Sequence, residues 1–309
     1  MSNTILLFPG QGSQSVGMLN DFLADSAVVR DTLAEADHAL GYALSTLMAQ
    51  GPAEDLDRTE HTQPAMLAAD VALYRHWRAE GGAAPVAVAG HSLGEYAALV
   101  AAEVMSFSDA LRLARIRAQA MQAAVPEGHG AMAAIVGLDD EAVQALCDRY
   151  ADGQVLEPVN FNAPGQVVIA GDADAVARAS EHAKDHGARM VVQLPVSVPS
   201  HCQLMLPAAN ALREALRDVP LATPCCPVIQ NVSAAPPEDT DALREQLIDQ
   251  VRAPVRWVET IQYLATIDNP RFLECGPGKV LTGLMRRINR SLAASALGEP
   301  VALNKALAA

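Results

Sequence analysis

A short apolar run that leads directly into a glycine-flanked serine most constrains how this chain can fold. Residues 86–89 are VAVA, the pattern of a buried strand, and they continue into GHSLG at 90–94 and an alanine-rich helix. The glycines of this G-x-S-x-G motif allow a strand to turn sharply into a helix and present a serine hydroxyl at the edge of a sheet. The motif predicts a nucleophile at Ser92, with a plain strand-to-helix turn that contains a serine as the alternative.

Strands and helices alternate along the first part of the chain. Residues 4–8 form an apolar run that breaks at a Pro-Gly pair. Helical patterns follow over residues 21–49 and 63–80, and Gly81-Gly82 ends the second of them. Alternation of this kind indicates an α/β fold with a parallel sheet at its core.

The pattern changes after Pro126. Six segments follow in the order strand, helix, strand, strand, helix, strand, at 131–136, 140–150, 155–160, 166–170, 173–186 and 190–194. This βαββαβ order is the ferredoxin-like pattern. We therefore predict a small ferredoxin-like subdomain at 127–198, inserted into a larger α/β domain that is formed by residues 1–126 and 199–309.

A nucleophilic serine needs a neighbouring base. Of the eight histidines, His91 adjoins Ser92, but successive side chains in such a tight turn point apart. His201 follows the last predicted strand of the subdomain, in the segment PVSVPSH, where two prolines can hold an imidazole still. From the residues alone His201 is either the base or a structural loop histidine.

The glycine-rich turn FPGQGSQ at 8–14 could belong either to a dinucleotide-binding loop or to an oxyanion site. Gly10 and Gly12 fit the start of a dinucleotide-binding loop, but Ser15 stands where the third glycine belongs, and no GxxxxGK motif is present. The turn can instead supply a backbone N–H to an oxyanion, and Gln11 is placed for that role. The N–H of Leu93, at the start of the helix after the elbow, is the matching second donor.

Arg117 lies on the apolar face of a predicted helix at 108–124. Ala114, Ala120 and Met121 share that face at a period of 3.6 residues. A buried guanidinium needs an anionic partner, because an unpaired buried charge is strongly unfavourable. The residues favour an internal ion pair with Asp or Glu slightly over a two-pronged clamp for a substrate carboxylate.

Composition excludes several classes of function. The 309 residues include 22 basic and 36 acidic side chains, with a net charge of −14, so nucleic-acid binding is not expected. The N-terminal segment lacks a signal-peptide pattern, and no apolar run approaches the ~18 residues of a membrane span. Five cysteines lack metal-type spacing. We expect a cytoplasmic protein with reduced thiols and no metal.

Seven features occur in order over nearly the whole chain: FPGQGSQ at 8–14, TEHTQPA at 59–65, GHSLGEY at 90–96, Arg117, NFNAPGQVVIAG at 160–171, PVSVPSHC at 195–202 and GPGKVLTGL at 276–284. Together they resemble the malonyl-CoA:acyl carrier protein transacylase family. The resemblance implies an α/β-hydrolase-like domain interrupted by a ferredoxin-like subdomain, in agreement with the predicted elements. Residues beyond about Leu292 match no feature of the family.

The resemblance also implies roles for single residues. The nucleophile of the family matches Ser92, its base matches His201 and its carboxylate-binding arginine matches Arg117. The base is oriented by a main-chain carbonyl, which here belongs to Gln250. The two oxyanion N–H donors of the family match Gln11 and Leu93. Two residues of its pocket wall match Gln63 and Asn162. No metal and no cofactor are implied, because malonyl-CoA is a substrate.

The implied activity is a ping-pong transfer of the malonyl group from malonyl-CoA, through Ser92, to the phosphopantetheine thiol of acyl carrier protein. We expect a monomer that feeds fatty-acid synthesis. A stand-alone polyketide acyltransferase and a malonate decarboxylase component share these motifs. A serine esterase or thioesterase is disfavoured by Arg117 and by the full set of motifs, as is a non-catalytic scaffold.

Docking of the second substrate poses an electrostatic problem, because acyl carrier proteins are typically acidic and so is this chain. A local cationic surface is therefore expected to bind it. The densest basic cluster is Lys279, Arg286, Arg287 and Arg290, to which Arg189 could add from the subdomain. The equally weighted alternative is a solvated helix face whose cations complement the helix dipole.

Overall fold

The computed structural model describes residues 3–196 and 198–309. The strands are β1 Asn3–Phe8, β2 Ala87–Gly90, β3 Gly130–Val136, β4 Leu156–Ala163, β5 Gln166–Asp172, β6 Met190–Gln193, β7 Val228–Ile229, β8 Pro270–Glu274 and β9 Ala294–Ala296. The α-helices are α1 Asn20–Asp25, α2 Ala27–Leu40, α3 Leu44–Gln50, α4 Ala53–Leu56, α5 Thr59–Ala79, α6 Gly94–Ala101, α7 Phe107–Ala124, α8 Asp140–Tyr150, α9 Ala173–His182, α10 Leu206–Leu216, α11 Thr240–Asp249, α12 Trp257–Leu264, α13 Val280–Ile288 and α14 Pro300–Leu307. A 3₁₀ turn at Gln203–Met205 precedes α10.

Five strands form a parallel sheet in the order β7-β2-β1-β8-β9. The central strand β1 is buried on both faces, as is usual when helices cover both sides of a parallel sheet. The register pairs Phe8 with Gly90 at the carboxyl ends of β1 and β2. The two loops that follow these strands therefore leave the sheet side by side, at the edge where α/β proteins place their sites.

Helices cover both faces of this sheet, because the side chains of β1 alternate between the two faces and are apolar on each. Leu6 and Phe8 join a large apolar cluster with α2, α5, α6, α7 and α10. Ile5 and Leu7 point the other way, into a smaller cluster with α12 and α13. The result is a three-layer α/β arrangement around one parallel sheet.

The second sheet is antiparallel, with strand order β4-β5-β3-β6. Its elements follow along the chain as β3-α8-β4-β5-α9-β6. One face packs on α8 and α9, through residues such as Ile135, Leu146 and Val176. The opposite face contributes Met132 and Val168 to a cluster with Cys202. This second contact supports the loop that carries the predicted base, His201.

The prediction of a mixed α/β fold with a parallel sheet is confirmed, and the βαββαβ order of elements is the observed one. The helical pattern at 21–49 consists of three helices. Ser26 accepts a hydrogen bond from the N–H of Val29 and starts α2, and Gly41, with φ of 74°, ends it. The helix predicted at 173–186 ends at His182. The domain limits at 126 and 199 stay predictions.

The C-terminal residues that matched no motif belong to the fold. Strand β9 adds to the edge of the parallel sheet beside β8. Leu297 and Leu303 are fully buried in the large apolar cluster, so this segment completes the core. Among the described residues, no helix is both long enough and apolar enough to cross a membrane.

Candidate active site

Ser92 lies in a tight elbow between β2 and α6. Its φ of 51° falls in the left-handed region, which a non-glycine residue adopts only when its surroundings impose it. A Cβ on Gly90 would lie 1.9 Å from the carbonyl carbon of Gly94, and one on Gly94 would lie 2.1 Å from the oxygen of Phe8. Both glycines are thus required for close backbone contact, as the motif predicts.

The Ser92 hydroxyl contacts the imidazole of His201, since Oγ and Nε2 are 2.8 Å apart. On the other side of the ring, Nδ1 lies 2.7 Å from the main-chain oxygen of Gln250. A carbonyl oxygen only accepts, so Nδ1 carries the proton and Nε2 is free to accept the serine proton. The structure therefore brings Ser92, His201 and the Gln250 carbonyl together as the resemblance implies.

His201 is 2% exposed and is held in a left-handed backbone conformation, with φ of 68°. Burial, followed by the positive charge of Arg117, lowers the pKa of His201 to about 3. Both effects disfavour the imidazolium. The ring is consequently a neutral hydrogen-bond acceptor throughout the physiological pH range.

Arg117 extends from α7 into the same site and is 2% exposed. Its Nη2 donates to the Ser92 hydroxyl at 3.1 Å and to Oε1 of Gln250 at 3.1 Å, and its Nη1 donates to Oε1 of Gln63 at 2.7 Å. Its Nε has no hydrogen-bond partner among the described residues. The interpretation as an internal ion pair is wrong, because no carboxylate of the described residues forms a salt bridge with it. The charge of Glu95 acts on the guanidinium only from beyond salt-bridge distance. A buried cation whose hydrogen bonds all go to neutral oxygens is left available for an anionic ligand.

Gln250 and Gln63 contact the groups of the site, Gln63 through its side chain and Gln250 through its side chain and its main-chain oxygen. Gln250 is fully buried, and its Nε2 donates to the main-chain oxygen of Ser92 at 2.9 Å. It thus contacts Ser92, His201 and Arg117 at once. Gln63, 1% exposed on α5, donates weakly to the sulfur of Met121 at 3.6 Å, which directs its oxygen towards Arg117. The structure therefore places Gln63 in contact with the guanidinium of Arg117, whereas its predicted position in the pocket wall stays a prediction.

The two predicted oxyanion donors come from neighbouring backbone segments. A Cβ on Gly10 would lie 2.5 Å from the oxygen of His91 and 3.8 Å from the N of Leu93, so the turn before Gln11 packs on the elbow. The backbone N–H groups of Gln11 and Leu93 donate to no described residue. Two free donors beside the nucleophile form the arrangement that an oxyanion hole requires, and their role stays a prediction.

Asn162 lies on β4 and accepts a hydrogen bond from Nε2 of His91 at 2.7 Å. The edge of the His91 ring packs on Trp257, with ring centroids 5.3 Å apart. His91 thus points away from Ser92, as the tight turn predicts, and links the elbow to the second sheet. Asn162 is therefore next to the elbow, whereas its contribution to a substrate pocket stays a prediction.

Two functional contacts were missed from the sequence, those of Asn231 and Glu95. Asn231 Oδ1 accepts the Ser92 N–H at 2.7 Å, and the Asn231 N–H donates to Glu95 Oε2 at 2.8 Å. Burial raises the pKa of Glu95 to about 7, although the Asn231 N–H opposes the shift. A polar pair, Gln230-Asn231, directly follows the short apolar run of β7. That position at the carboxyl end of a strand was the available signal.

No group of three or more His, Cys, Asp or Glu side chains in residues 3–196 and 198–309 could hold a metal ion. The site is therefore built from a hydroxyl, an imidazole, a guanidinium and amide groups. Such a set can carry out nucleophilic acyl transfer on a substrate that bears a negative charge.

Comparison with known proteins gives one consistent result. Residues 5–301 match the family described as the acyl transferase domain. The malonyl CoA-acyl carrier protein transacylase of Escherichia coli strain K12 is 53% identical over 307 residues, which cover 99% of each chain.

Solved structures agree. The acyl-carrier-protein S-malonyltransferase of Burkholderia pseudomallei is 51% identical, with a TM-score of 0.97 and coverage of 99% of this chain and 100% of that one. A malonyl-transacylase in complex with its type II PKS acyl-carrier protein is 48% identical, with a TM-score of 0.97 and coverage of 99% of both chains. On this similarity and on the geometry of the site, the chain belongs to the acyl transferase domain family, among the malonyl-CoA:acyl carrier protein transacylases.

Proposed function

We propose that this protein transfers the malonyl group from malonyl-CoA to the phosphopantetheine thiol of acyl carrier protein, and that it feeds fatty-acid synthesis. One observation carries the proposal: the Ser92 hydroxyl lies 2.8 Å from the neutral nitrogen of His201 and 3.1 Å from the guanidinium of Arg117. A nucleophile, a base and a buried cation thus converge on one atom. This is the set that a carboxylated acyl-thioester requires.

In the first half-reaction, His201 Nε2 removes the hydroxyl proton while Ser92 Oγ attacks the thioester carbonyl of malonyl-CoA. The tetrahedral oxyanion accepts hydrogen bonds from the N–H groups of Gln11 and Leu93. The Gln250 carbonyl stabilises the imidazolium that forms, because it accepts the Nδ1 proton at 2.7 Å. Collapse of the intermediate breaks the carbon–sulfur bond, and coenzyme A leaves with the proton from His201.

In the second half-reaction, the thiol of acyl carrier protein gives its proton to His201 and attacks the malonyl-Ser92 ester. The carbon–oxygen bond breaks, and Ser92 regains its proton from the imidazolium. Each half-reaction uses the same base and the same oxyanion donors, as ping-pong acyl transfer requires. Within the chain, the proton moves between Ser92 and His201, and the two thiols take it up or supply it.

Arg117 selects the acyl group. One methylene separates the malonyl carboxylate from the carbonyl carbon that Ser92 attacks, so the carboxylate lies near the guanidinium that contacts Ser92. The unpartnered Nε and the Nη groups can hold both carboxylate oxygens. Gln63 and Gln250 keep the guanidinium in place by accepting from its nitrogens. An uncharged acyl group would leave this cation without an anionic partner.

The proposal extends to the finer fold class. The parallel sheet with a serine elbow after β2 supports an α/β-hydrolase-like domain. The antiparallel order β4-β5-β3-β6 with both helices on one face supports a ferredoxin-like subdomain. The proposal also places the enzyme in the cytoplasm, where its five unpaired cysteines would stay reduced.

Isotope-labelled malonyl-CoA, supplied without an acceptor, tests the proposed function. We expect one malonyl group per chain to remain on Ser92, located by mass spectrometry of peptides, and to leave when acyl carrier protein is added. The S92A variant should take up no label, whereas S106A, which changes the exposed serine at the N-cap of α7, should still carry one malonyl group per chain. Continuous release of free malonate without an acceptor would instead identify a hydrolase.

We further propose that acyl carrier protein docks on the basic cluster of α13 and the residues that flank it, namely Lys279, Arg286, Arg287 and Arg290, all exposed. Lys279 and Arg286 line a cavity of about 630 Å³ together with Ser13, from the turn that carries Gln11. Arg287 donates to Gln166 at the start of β5, next to the second sheet. The cluster therefore extends from the elbow side of the molecule towards that sheet. Arg189 is exposed as well.

The double variant R286E/R287E is expected to raise the KM for acyl carrier protein about fivefold or more, because exposed ion pairs each contribute ~0.2–1 kcal/mol. The KM for malonyl-CoA should change little. The matched control R213E/R217E makes the same change in net charge on α10 and its C-cap, and should leave both KM values near those of the wild type. An increase confined to the KM for malonyl-CoA would refute docking on this cluster.

A further inference from the structure

Asn231 makes four hydrogen bonds at the elbow or next to it, although no motif marks it. It is 1% exposed and directly follows β7. Its side-chain oxygen accepts the N–H of Ser92 at 2.7 Å, and its side-chain nitrogen donates to the oxygen of Gly90 at 2.6 Å. Its own N–H donates to Glu95 at 2.8 Å, and its oxygen accepts the N–H of Arg256 at 3.1 Å.

The side-chain amide of Asn231 replaces a missing strand pairing. The register of β2 and β7 pairs Ala89 with Ile229, and β2 ends one residue later, where the chain turns into the elbow. The Asn231 amide then bonds both to the residue before His91 and to the residue after it, as a peptide group of a neighbouring strand would. It bridges the turn from the side opposite to the β1 loop.

This bridge acts on a residue under backbone strain. The φ of 51° at Ser92 sets the direction of its Cα–Cβ bond, and hence where the hydroxyl lies. The N–H of Ser92 is held by Asn231, and its carbonyl oxygen by Nε2 of Gln250 at 2.9 Å. Side chains from two segments thus fix both backbone polar groups of one residue, Ser92.

We propose that Asn231, itself held by Glu95, is a positioning residue that fixes the Ser92 backbone so that the hydroxyl stays between His201 and Arg117. This inference rests on the proposed role of Ser92 as nucleophile. Asn231 does not touch the reacting atoms, so it acts on rate through geometry alone. Misplacement of a nucleophile by about 1 Å can slow a reaction on the order of 10²-fold.

The neighbouring residue shows that burial alone does not explain Asn231. Gln230 is fully buried too, yet neither of its side-chain amide atoms has a hydrogen-bond partner among the described residues. The two amides thus have the same burial and adjacent positions, but only that of Asn231 bonds to the elbow. Burial between β7 and the elbow therefore does not by itself produce these hydrogen bonds, and the side chain of Asn231 makes them to Ser92 and Gly90 specifically.

The test compares N231A, N231D and the control N210A, which changes an exposed asparagine of α10. We expect N231A to lower kcat roughly 10- to 100-fold and to leave the KM for malonyl-CoA within about twofold, because positioning and not substrate binding is lost. The rate at which a fluorophosphonate labels Ser92 should fall by a similar factor. N210A should match the wild type in both assays.

N231D keeps the size of the side chain and an acceptor for the Ser92 N–H, but in its ionised form it cannot donate to Gly90, so the assays are run over a range of alkaline pH as well. It should fold, as checked by circular dichroism, and should also lose activity mainly in kcat, so the test holds even if N231A fails to fold. Unchanged kcat and unchanged fluorophosphonate labelling in a folded variant would overturn the inference, as would a change confined to KM. If wild-type Ser92 reacts with the fluorophosphonate but not with malonyl-CoA, the proposed acyl donor is wrong, and the fluorophosphonate rates still judge Asn231.

Discussion

Replacing His201 by alanine is expected to slow malonylation of Ser92 by about 10²- to 10⁴-fold, the usual contribution of a positioned general base. The His201 Nε2 lies 2.8 Å from the serine hydroxyl, and no other described histidine makes a hydrogen bond to that oxygen. Without the imidazole, the proton has no acceptor in the site. The oxyanion donors and Arg117 remain, so a residual rate above that of water is expected.

The rate of single-turnover malonylation, measured by rapid quench, checks this prediction. H129A, which removes an exposed histidine at the start of the second sheet, serves as the control and should retain the wild-type rate. A loss of less than tenfold in H201A would mean that another group takes the proton. Circular dichroism would establish that the buried site has not collapsed.

The pH dependence of the same rate follows from the depressed pKa of His201. The base must be neutral to act, and with its pKa lowered to about 3 it stays neutral as the pH falls from 8 to 5. An ordinary histidine, with a pKa of about 6.5, would be mostly protonated at pH 5. We therefore expect that the plot of the malonylation rate against pH shows no decrease near pH 6.5 from protonation of His201. The E95Q variant, measured in parallel, separates the titration of Glu95, whose pKa is about 7; a decrease near pH 6.5 that persists in E95Q would contradict the prediction.

Replacing Arg117 by alanine is expected to reduce malonyl transfer by about 10²- to 10³-fold, because losing one partner of a buried charge pair costs about 2–5 kcal/mol. Transfer of the uncharged acetyl group should stay unchanged or improve, since its complex with the wild type leaves a buried cation unpaired. The variant should therefore lower the ratio of kcat/KM for malonyl-CoA to kcat/KM for acetyl-CoA. R117K keeps the charge but not the fork of donors, and should recover only part of the malonyl rate.

Competition between malonyl-CoA and acetyl-CoA for Ser92 measures this ratio directly. R112A, which removes an exposed arginine of the same helix, is the matched control. Equal losses for the two acyl groups in R117A would assign Arg117 a purely structural role, through its bonds to Gln63 and Gln250. Selective loss of malonyl transfer would identify the carboxylate as its ligand.

Several parts of the site were predictable because they depend on local patterns. The elbow at Ser92 is encoded by an apolar strand, two glycines and a helix, all within residues 87–101. The inward position of Arg117 follows from the period of its own helix. For the same local reason the buried strand β1 was predicted to within one residue. What surrounds Arg117 was not local, and the slightly favoured ion pair proved wrong.

Local patterns could not predict which distant segments contact each other at the site. His201 is 109 residues from Ser92 along the chain, Gln250 is 158 and Asn231 is 139. From the residues alone two roles were open for His201, the base and a structural loop histidine, and Gln250 was identified through family resemblance. Asn231 was missed, because an asparagine after a two-residue strand has the same local pattern as any polar loop residue.

The sequence by itself determined the α/β class, the order of the elements, the serine elbow and the buried arginine. It could do so because strand and helix periods and glycine turns act within a few residues of the chain. Only the tertiary structure decided that a neutral imidazole, two glutamine amides and Asn231 meet at that elbow. Their meeting depends on the sheet order, which pairs β2 with β7 and β1 with β8 across large separations in the chain. It also depends on how the second sheet supports the His201 loop.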